Sequence, residues 1–195
     1  LEEFWDVNQE KILAAGEWCR LYNKKYSVEL ATLPYIWSNV EDVHKAQLYC
    51  NRIYESSLLS LTESLNSYLG INKEVHYYRI LVGAWLFHFI HQAYDKYKVL
   101  DLAIKSGATY TWSLEKEQYY YPFDFTDYNS KVDCKANDDL YQLQLFSQVA
   151  KCIGFTAVSK KGSLPLTSKE YKASGGNLGD INQIAKKIIK KSFFY

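Results

Sequence analysis

Apolar positions along this chain fall into short extended runs and long helical ones. Lys11-Ile-Leu-Ala-Ala-Gly16 is a compact apolar run closed by glycine and reads as a short buried strand. Tyr26 to Leu33 is a second strand candidate, stopped by Pro34, and Glu17 to Tyr22 between them suits a helical turn. That order fits a β-α-β start to a parallel sheet. Asn39 then stands where a helix cap belongs, ahead of a segment running to about Leu69 with Gly70 just past its end. Leu48, Ile53, Leu58, Leu59, Leu61 and Leu65 give this helix a largely apolar face.

A second long helix is predicted from His76 to about Ser106. Its first half, Arg79 to His91, is apolar almost all round, which predicts a helix covered on more than one side. Its second half is amphipathic, with Tyr94, Tyr97, Leu100 and Ile104 inward. Thr109 to Leu114 alternates β-branched and aromatic residues and reads as a third strand, and Tyr119 to Lys135 as an aromatic, Asp-rich loop. Asn137 or Asp138 caps a helix from about Asp139 to Ile153, stopped by Gly154. Beyond Phe155 the character changes. Ser159 to Gly176 is rich in Lys, Ser and Gly and reads as a linker, and Asp180 opens an amphipathic helix with Ile181, Ile184, Ile188 and Ile189 on one side.

Composition sharpens this picture. Of 195 residues 48% are hydrophobic and 23% charged, enough apolar material for one globular core and too much for disorder. A net charge of +1 provides no molecule-wide field to recruit nucleic acid, so any electrostatic role must be local. The 18 Tyr, 5 Trp and 9 Phe suit either sugar stacking or core boundaries and interfaces. Cys19, Cys50, Cys134 and Cys152 are widely spaced, with no zinc pattern, and are expected to be reduced thiols in a cytoplasmic protein. The acidic start Leu1-Glu-Glu-Phe-Trp-Asp is no secretory signal, and the longest apolar run is too short for a span of about 20 residues. The chain contains no Met, so it is expected to be a processed or excised piece.

Four constellations could carry chemistry. Glu17 and Trp18 follow the first strand, where open α/β sheets bind ligands. There Glu17 would accept a hydroxyl proton and Trp18 stack on a sugar, or the two are a surface carboxylate beside a packed indole. His76, Tyr77 and Arg79 open the second long helix, where backbone N–H groups and cations suit a phosphate or sugar carboxylate. Alternatively, Arg79 pairs with a nearby carboxylate. His88 and His91 share a helix face without an H-E-x-x-H pattern, so no metal is assigned. Asp124 and Asp127 sit in the aromatic loop as ligand contacts or as turn-forming side chains. No glycine-rich phosphate fingerprint is present, which disfavours a stand-alone nucleotide-binding domain, and no cofactor is assigned.

A family resemblance adds to these readings. Leu1-Glu-Glu-Phe-Trp-Asp, Lys11-Ile-Leu with Gly16-Glu-Trp-Cys19, and Leu33-Pro-Tyr-Ile-Trp37 resemble the start of a transferase family from bacterial O-antigen gene clusters, named after a leptospiral member. Tyr77-Tyr-Arg-Ile-Leu-Val-Gly-Ala-Trp85 is similar to its tyrosine–aromatic–arginine segment, and Asn137-Asp-Asp-Leu-Tyr141 to the pattern that follows. The resemblance covers residues 1 to about 154.

It implies a Rossmann-like, three-layer α/β domain with a short, mostly parallel sheet and two long helices, the N-terminal half of a two-domain, GT-B-like glycosyltransferase. The expected division is a Rossmann-like acceptor-side domain over residues 1–155, then a linker and amphipathic helix over 156–195. The implied role is surface-polysaccharide or lipopolysaccharide synthesis, with transfer of a hexose or a sialic-acid-like sugar. The expected partners are a glycan or lipid-linked oligosaccharide acceptor, and a nucleotide-sugar donor held by a missing C-terminal half. Peripheral contact with the inner membrane would come from the terminal helix. The resemblance raises Glu17, Trp18, His76 and Arg79 as cleft residues. Together with the reading of the residues themselves, Glu17 is the candidate catalytic base, and Trp18, His76, Tyr77, Arg79, Asp124 and Asp127 are substrate-binding candidates. The rival reading is a noncatalytic module that binds a protein or a membrane through its aromatic surface and Ile/Lys tail.

Overall fold

The computed structural model of the chain describes residues 11–20, 29–122, 125–128 and 138–160. Four short strands and three helices make up most of it, in the order β1 (Lys11–Ala14), β2 (Glu29–Thr32), α1 (Val40–Leu69), α2 (Val75–Lys105), β3 (Thr111–Leu114), α3 (Asp138–Cys152) and β4 (Ala157–Lys160). It is a mixed α/β structure, mostly helical, and the strands form two parallel pairs, β1 with β2 and β3 with β4. Parallel neighbours need a crossover of a dozen or more residues, and α3 lies in the one between β3 and β4.

Each pair extends one hydrogen bond past its strands, Leu33 N–H to Ala14 O at 3.0 Å and Thr111 N–H to Thr156 O at 2.9 Å. Within the described residues the strand and helix expectations drawn from the hydrophobic pattern agree with these elements, with two additions. Residues 26–28 of the expected second strand lie outside the described residues, and residues 125–128, inside the expected aromatic loop, are helical. Ala157–Lys160 is a strand, where the Lys/Ser/Gly-rich character was read as the beginning of a linker. The Asn137 cap, residues 161–176 and the amphipathic segment from Asp180 lie outside the described residues. Among the described residues no helix is long and apolar enough to cross a membrane.

The chain divides into two compact units, Leu1–Val40 with Asp95–Thr167 and Glu41–Tyr94 with Ser168–Tyr195. In the second unit α1 and the first part of α2 share a core of Cys50, Leu58, Leu61, Tyr78, Leu86 and Ile90. Gly83 permits close approach: a Cβ there would stand 2.7 Å from the Tyr54 hydroxyl. The turn between the helices begins at Gly70, whose φ of 65° is the left-handed conformation that glycine adopts without strain. Asn66 clamps that turn. Its Nδ2 donates to Lys73 O (2.8 Å), while its Oδ1 accepts from Lys73 N–H (2.9 Å) and from the Tyr78 hydroxyl (2.8 Å).

The apolar half of α2 is not covered all round. Tyr78, Leu86, Ile90 and Ala93 are buried along one stripe, while Ile80 and Leu81 are 71% and 59% exposed. A helix packed on one neighbour buries a stripe about 100° wide, however apolar the remainder is.

In the first unit, Leu100 near the end of α2 packs with Phe146, Val149 and Ala150 of α3, and Ala15, Phe155 and Ala157 close around them. Leu114 of β3 forms a second cluster with Trp112, Tyr119 and Leu143. Side-chain hydrogen bonds stitch α3 to the chain leaving β3. The Ser147 hydroxyl accepts from Leu114 N–H (3.0 Å) and donates to Leu143 O (2.6 Å). Gln144 brackets the backbone of Tyr120, its Oε1 accepting from the N–H at 2.6 Å and its Nε2 donating to the carbonyl at 2.8 Å. Gly154, at φ 72°, ends α3, and Phe155 N–H returns to Ala150 O at 2.9 Å.

Candidate functional site

β1 and β2 run parallel, so both chains leave the pair at the same edge. After β1 come Ala15, Gly16 and a 3-10 turn, Glu17–Arg20, anchored by Cys19 N–H on Gly16 O at 3.1 Å. After β2 the backbone passes through Pro34, which cannot donate to a ladder, and continues to Tyr35 and Trp37. These two exits and the stretch of α2 beginning at Asp95 line a pocket of about 380 Å³. Its size lies within the usual range for small-ligand sites, and it opens at the carboxyl ends of parallel strands, where open α/β sheets place ligands.

The polar groups of the pocket are held by specific contacts. The Trp37 indole Nε1–H donates to Asp95 Oδ1 at 2.7 Å, and Lys96 Nζ donates to Asp95 Oδ2 at 2.8 Å. The Lys96 ammonium also lies 5.1 Å from the centre of the Phe146 ring, a cation–π contact. Lys96 has only 14% of its side chain exposed and Asp95 34%, so the pair is shielded yet reachable. Glu17 is exposed and lines the same pocket, and Tyr35, 74% exposed, is also part of its wall. The opening therefore offers carboxylates as acceptors, an ammonium as donor, and aromatic surface.

Of the residues singled out from sequence, Glu17 lies in this pocket. Trp18 sits in the same 3-10 turn, but its side chain, like Asp124, lies outside the described part of the structure. His76, Tyr77 and Arg79 belong to the other unit, at the start of α2. There Arg79 grips Glu55 with both guanidinium nitrogens, at 2.8 and 2.7 Å, and lies over the Tyr54 ring. This contact holds the Glu55 carboxyl below its ordinary range. Tyr77 packs edge-on against Tyr78 and carries Lys73 over its ring, while His76 is exposed. Asp127 accepts a hydrogen bond from the Tyr120 hydroxyl, the residue whose backbone Gln144 brackets. His91 Nδ1 meets Phe87 O at 2.8 Å, and among the described residues no three His, Cys, Asp or Glu side chains group as a metal site.

The hydrophobic pattern does not mark Asp95 and Lys96. They fall between the inward Tyr94 and Tyr97 on the amphipathic half of α2, where charged residues ordinarily face water. Trp37 lies in the Leu33-Pro-Tyr-Ile-Trp37 segment, whose sequence assigns it no role.

Fold and pocket describe a mixed α/β protein with a pocket of ligand size at the edge of a parallel strand pair. Comparison with known families is more specific. The profile of the LIC12162 family transferases matches residues 1–194, and the chain belongs to that family. The match runs past residue 154, where the resemblance read from the sequence stops. Among curated proteins and among solved structures nothing matches the chain.

Proposed function

We infer that the chain is the acceptor-side domain of a glycosyltransferase of surface-polysaccharide synthesis, O-antigen included, with its acceptor glycan seated in the pocket at the ends of β1 and β2. One observation carries this reading. A single cavity brings Glu17 together with the Trp37–Asp95–Lys96 group, giving a carboxylate, hydrogen-bonding partners and aromatic surface around a space of ligand size. In the transfer step the acceptor hydroxyl oxygen bonds to the anomeric carbon of the donor sugar and the bond from that carbon to the nucleotide phosphate breaks. Glu17 takes the hydroxyl proton and the nucleotide leaves with the bonding electrons. The donor belongs to a second, C-terminal half, and the parallel pairs of this chain are read as part of a Rossmann-like, GT-B-type half. The acceptor is a free or lipid-linked oligosaccharide handled at the cytoplasmic face of the membrane.

Titrating the chain with short O-antigen oligosaccharides and with CMP- and UDP-sugars, followed by protein-observed NMR, tests this reading. Oligosaccharide binding that moves the Glu17 and Trp37 signals, with nucleotide-sugars silent, is the expected result. Tight nucleotide-sugar binding would overturn the division of labour. In the full-length enzyme Glu17→Gln should abolish turnover while leaving acceptor affinity within about twofold. The exposed Ile80 and Leu81 favour one second reading, a noncatalytic interaction module, which silence from every ligand would support.

A further inference from the structure

We propose that Asp95 and Lys96 act together as a clamp for two neighbouring hydroxyls of a neutral sugar ring, and so set which glycans the pocket accepts. The proposal rests on the reading of this pocket as a glycan site and assigns it a recognition element. Asp95 is tied at both oxygens, Oδ1 to the Trp37 indole and Oδ2 to Lys96. An ionised carboxylate has about four acceptor positions, so about two remain for a ligand. The Lys96 ammonium has three N–H groups, and among the described residues it meets one carboxylate and the face of Phe146. An acceptor and a donor are thus side by side, with spare capacity, on a wall of the cavity. That arrangement matches a vicinal diol: one hydroxyl donates to Asp95 while its neighbour accepts from Lys96.

Two further features narrow the ligand. Lysine ordinarily loses considerable rotamer freedom when it binds. Here the side chain is already held between Asp95 and the Phe146 ring, so less ordering is left for the ligand to bring about. Charge then selects against anions. Among the described residues the pocket carries two carboxylates, Glu17 and Asp95, against one ammonium, Lys96, which is already engaged by one of them. A phosphate or a sugar acid entering here would meet a net negative wall, whereas a polyol brings no charge and can use both hydrogen-bonding senses.

The test titrates the 195-residue chain by protein-observed NMR with methyl pyranosides of glucose, galactose, mannose, rhamnose and N-acetylglucosamine, and with short neutral oligosaccharides built from them. Methyl glucuronide and inorganic phosphate serve as anionic probes. At least one neutral probe should bind with shifts at Trp37, Asp95 and Lys96, and its deoxy analogues lacking either clamped hydroxyl should bind at least tenfold more weakly. Asp95→Asn and Lys96→Met should each weaken that probe at least tenfold with the fold retained by circular dichroism. Asp95→Asn, which removes a negative charge, should also narrow the gap between the neutral probe and methyl glucuronide, a change of preference that mere loss of packing would not produce. If neutral probes bind but neither substitution changes their affinity, the clamp is wrong and the glycan site stands. Tighter binding of phosphate or glucuronide than of every neutral probe by the unaltered chain would likewise overturn it. If no probe binds, the glycan reading itself fails and the clamp with it.

Discussion

Replacing Gln144 by Leu removes a bracket and tests how α3 is fastened to the loop that carries Asp127. Gln144 is 3% exposed and Tyr120, whose N–H and carbonyl it pairs, is 7% exposed. Leucine fills a similar volume but offers neither donor nor acceptor, so both backbone groups of Tyr120 lose their partner away from water. A buried polar group left unsatisfied costs about 1–3 kcal/mol, so two cost about 2–6 kcal/mol. Removing the Gln amide from its buried site and burying leucine instead returns about 1–2 kcal/mol. The net change for Gln144→Leu lies between about 0 and 5 kcal/mol, with a central expectation of a loss of about 2.5 kcal/mol, a large share of the 5–15 kcal/mol typical of a domain. With a urea slope near 2 kcal/mol/M, the central value lowers the midpoint by about 1.2 M. Hydrogen exchange read by mass spectrometry should locate the change, with peptides spanning residues 114–121 exchanging faster. A midpoint within about 0.3 M of the unaltered protein, together with unchanged exchange over those peptides, would refute the bracket.

Asn66→Ala should destabilise the α1–α2 turn by about 1–3 kcal/mol in thermal unfolding, because the hydroxyl of Tyr78, itself 2% exposed, loses its acceptor. Tyr78→Phe in that background should recover most of the loss, and a purely additive pair would argue against the clamp. Arg79 lowers the Glu55 carboxyl from its reference value of 4.5, so this pair stabilises the fold above that pH and its contribution fades as pH falls through the lowered value. The difference in melting temperature between the unaltered protein and Glu55→Gln should therefore be present at pH 7 and lost in strong acid, and a difference that grows on acidification would contradict the pairing. Burial pushes the Cys50 thiol up to about 11, which leaves about one thiolate in a thousand at pH 8. In native iodoacetamide labelling followed by mass spectrometry, Cys50 should react well after the half-buried Cys19 and Cys152, and equal rates would contradict its burial.

Much of the local structure was legible because its signals are local. Gly70 and Gly154 stand just beyond α1 and α3, and each adopts the left-handed conformation that makes glycine a helix stop. β1, β2 and β3 announce themselves through short apolar or aromatic runs bounded by Gly or Pro. β4 does not, since Ala157-Val-Ser-Lys160 is weakly apolar and borders a Lys/Ser/Gly-rich stretch, and its place is decided by pairing with β3. Glu17 could be placed from the rule that ligands gather at strand carboxyl ends. Asp95 and Lys96 could not, because their partners Trp37 and Phe146 lie 58 and 50 residues away in sequence, and no periodicity encodes such an encounter. Arg79 shows the opposite difficulty. A basic residue at a helix start looks the same in sequence whether it awaits an anion or is already held by a carboxylate from the neighbouring helix.

The interruption of the first unit by Glu41–Tyr94 has a consequence for how the protein is born. The hydrogen bond from Trp37 to Asp95 closes a loop of 58 residues, which in a featureless chain would cost about 3.6 kcal/mol of closure entropy beyond a constant. That loop is not featureless, since α1 and the first part of α2 fill nearly all of it and are tied by contacts as short in sequence as Asn66 to Lys73. Local contacts of this kind form early, whereas distant pairings wait. On the ribosome, the strands that begin the pocket emerge well before Asp95 and Lys96 complete it, and Phe146 arrives later still. The pocket is thus completed late in synthesis, and until then its apolar strand ends remain a target for chaperones or for aggregation.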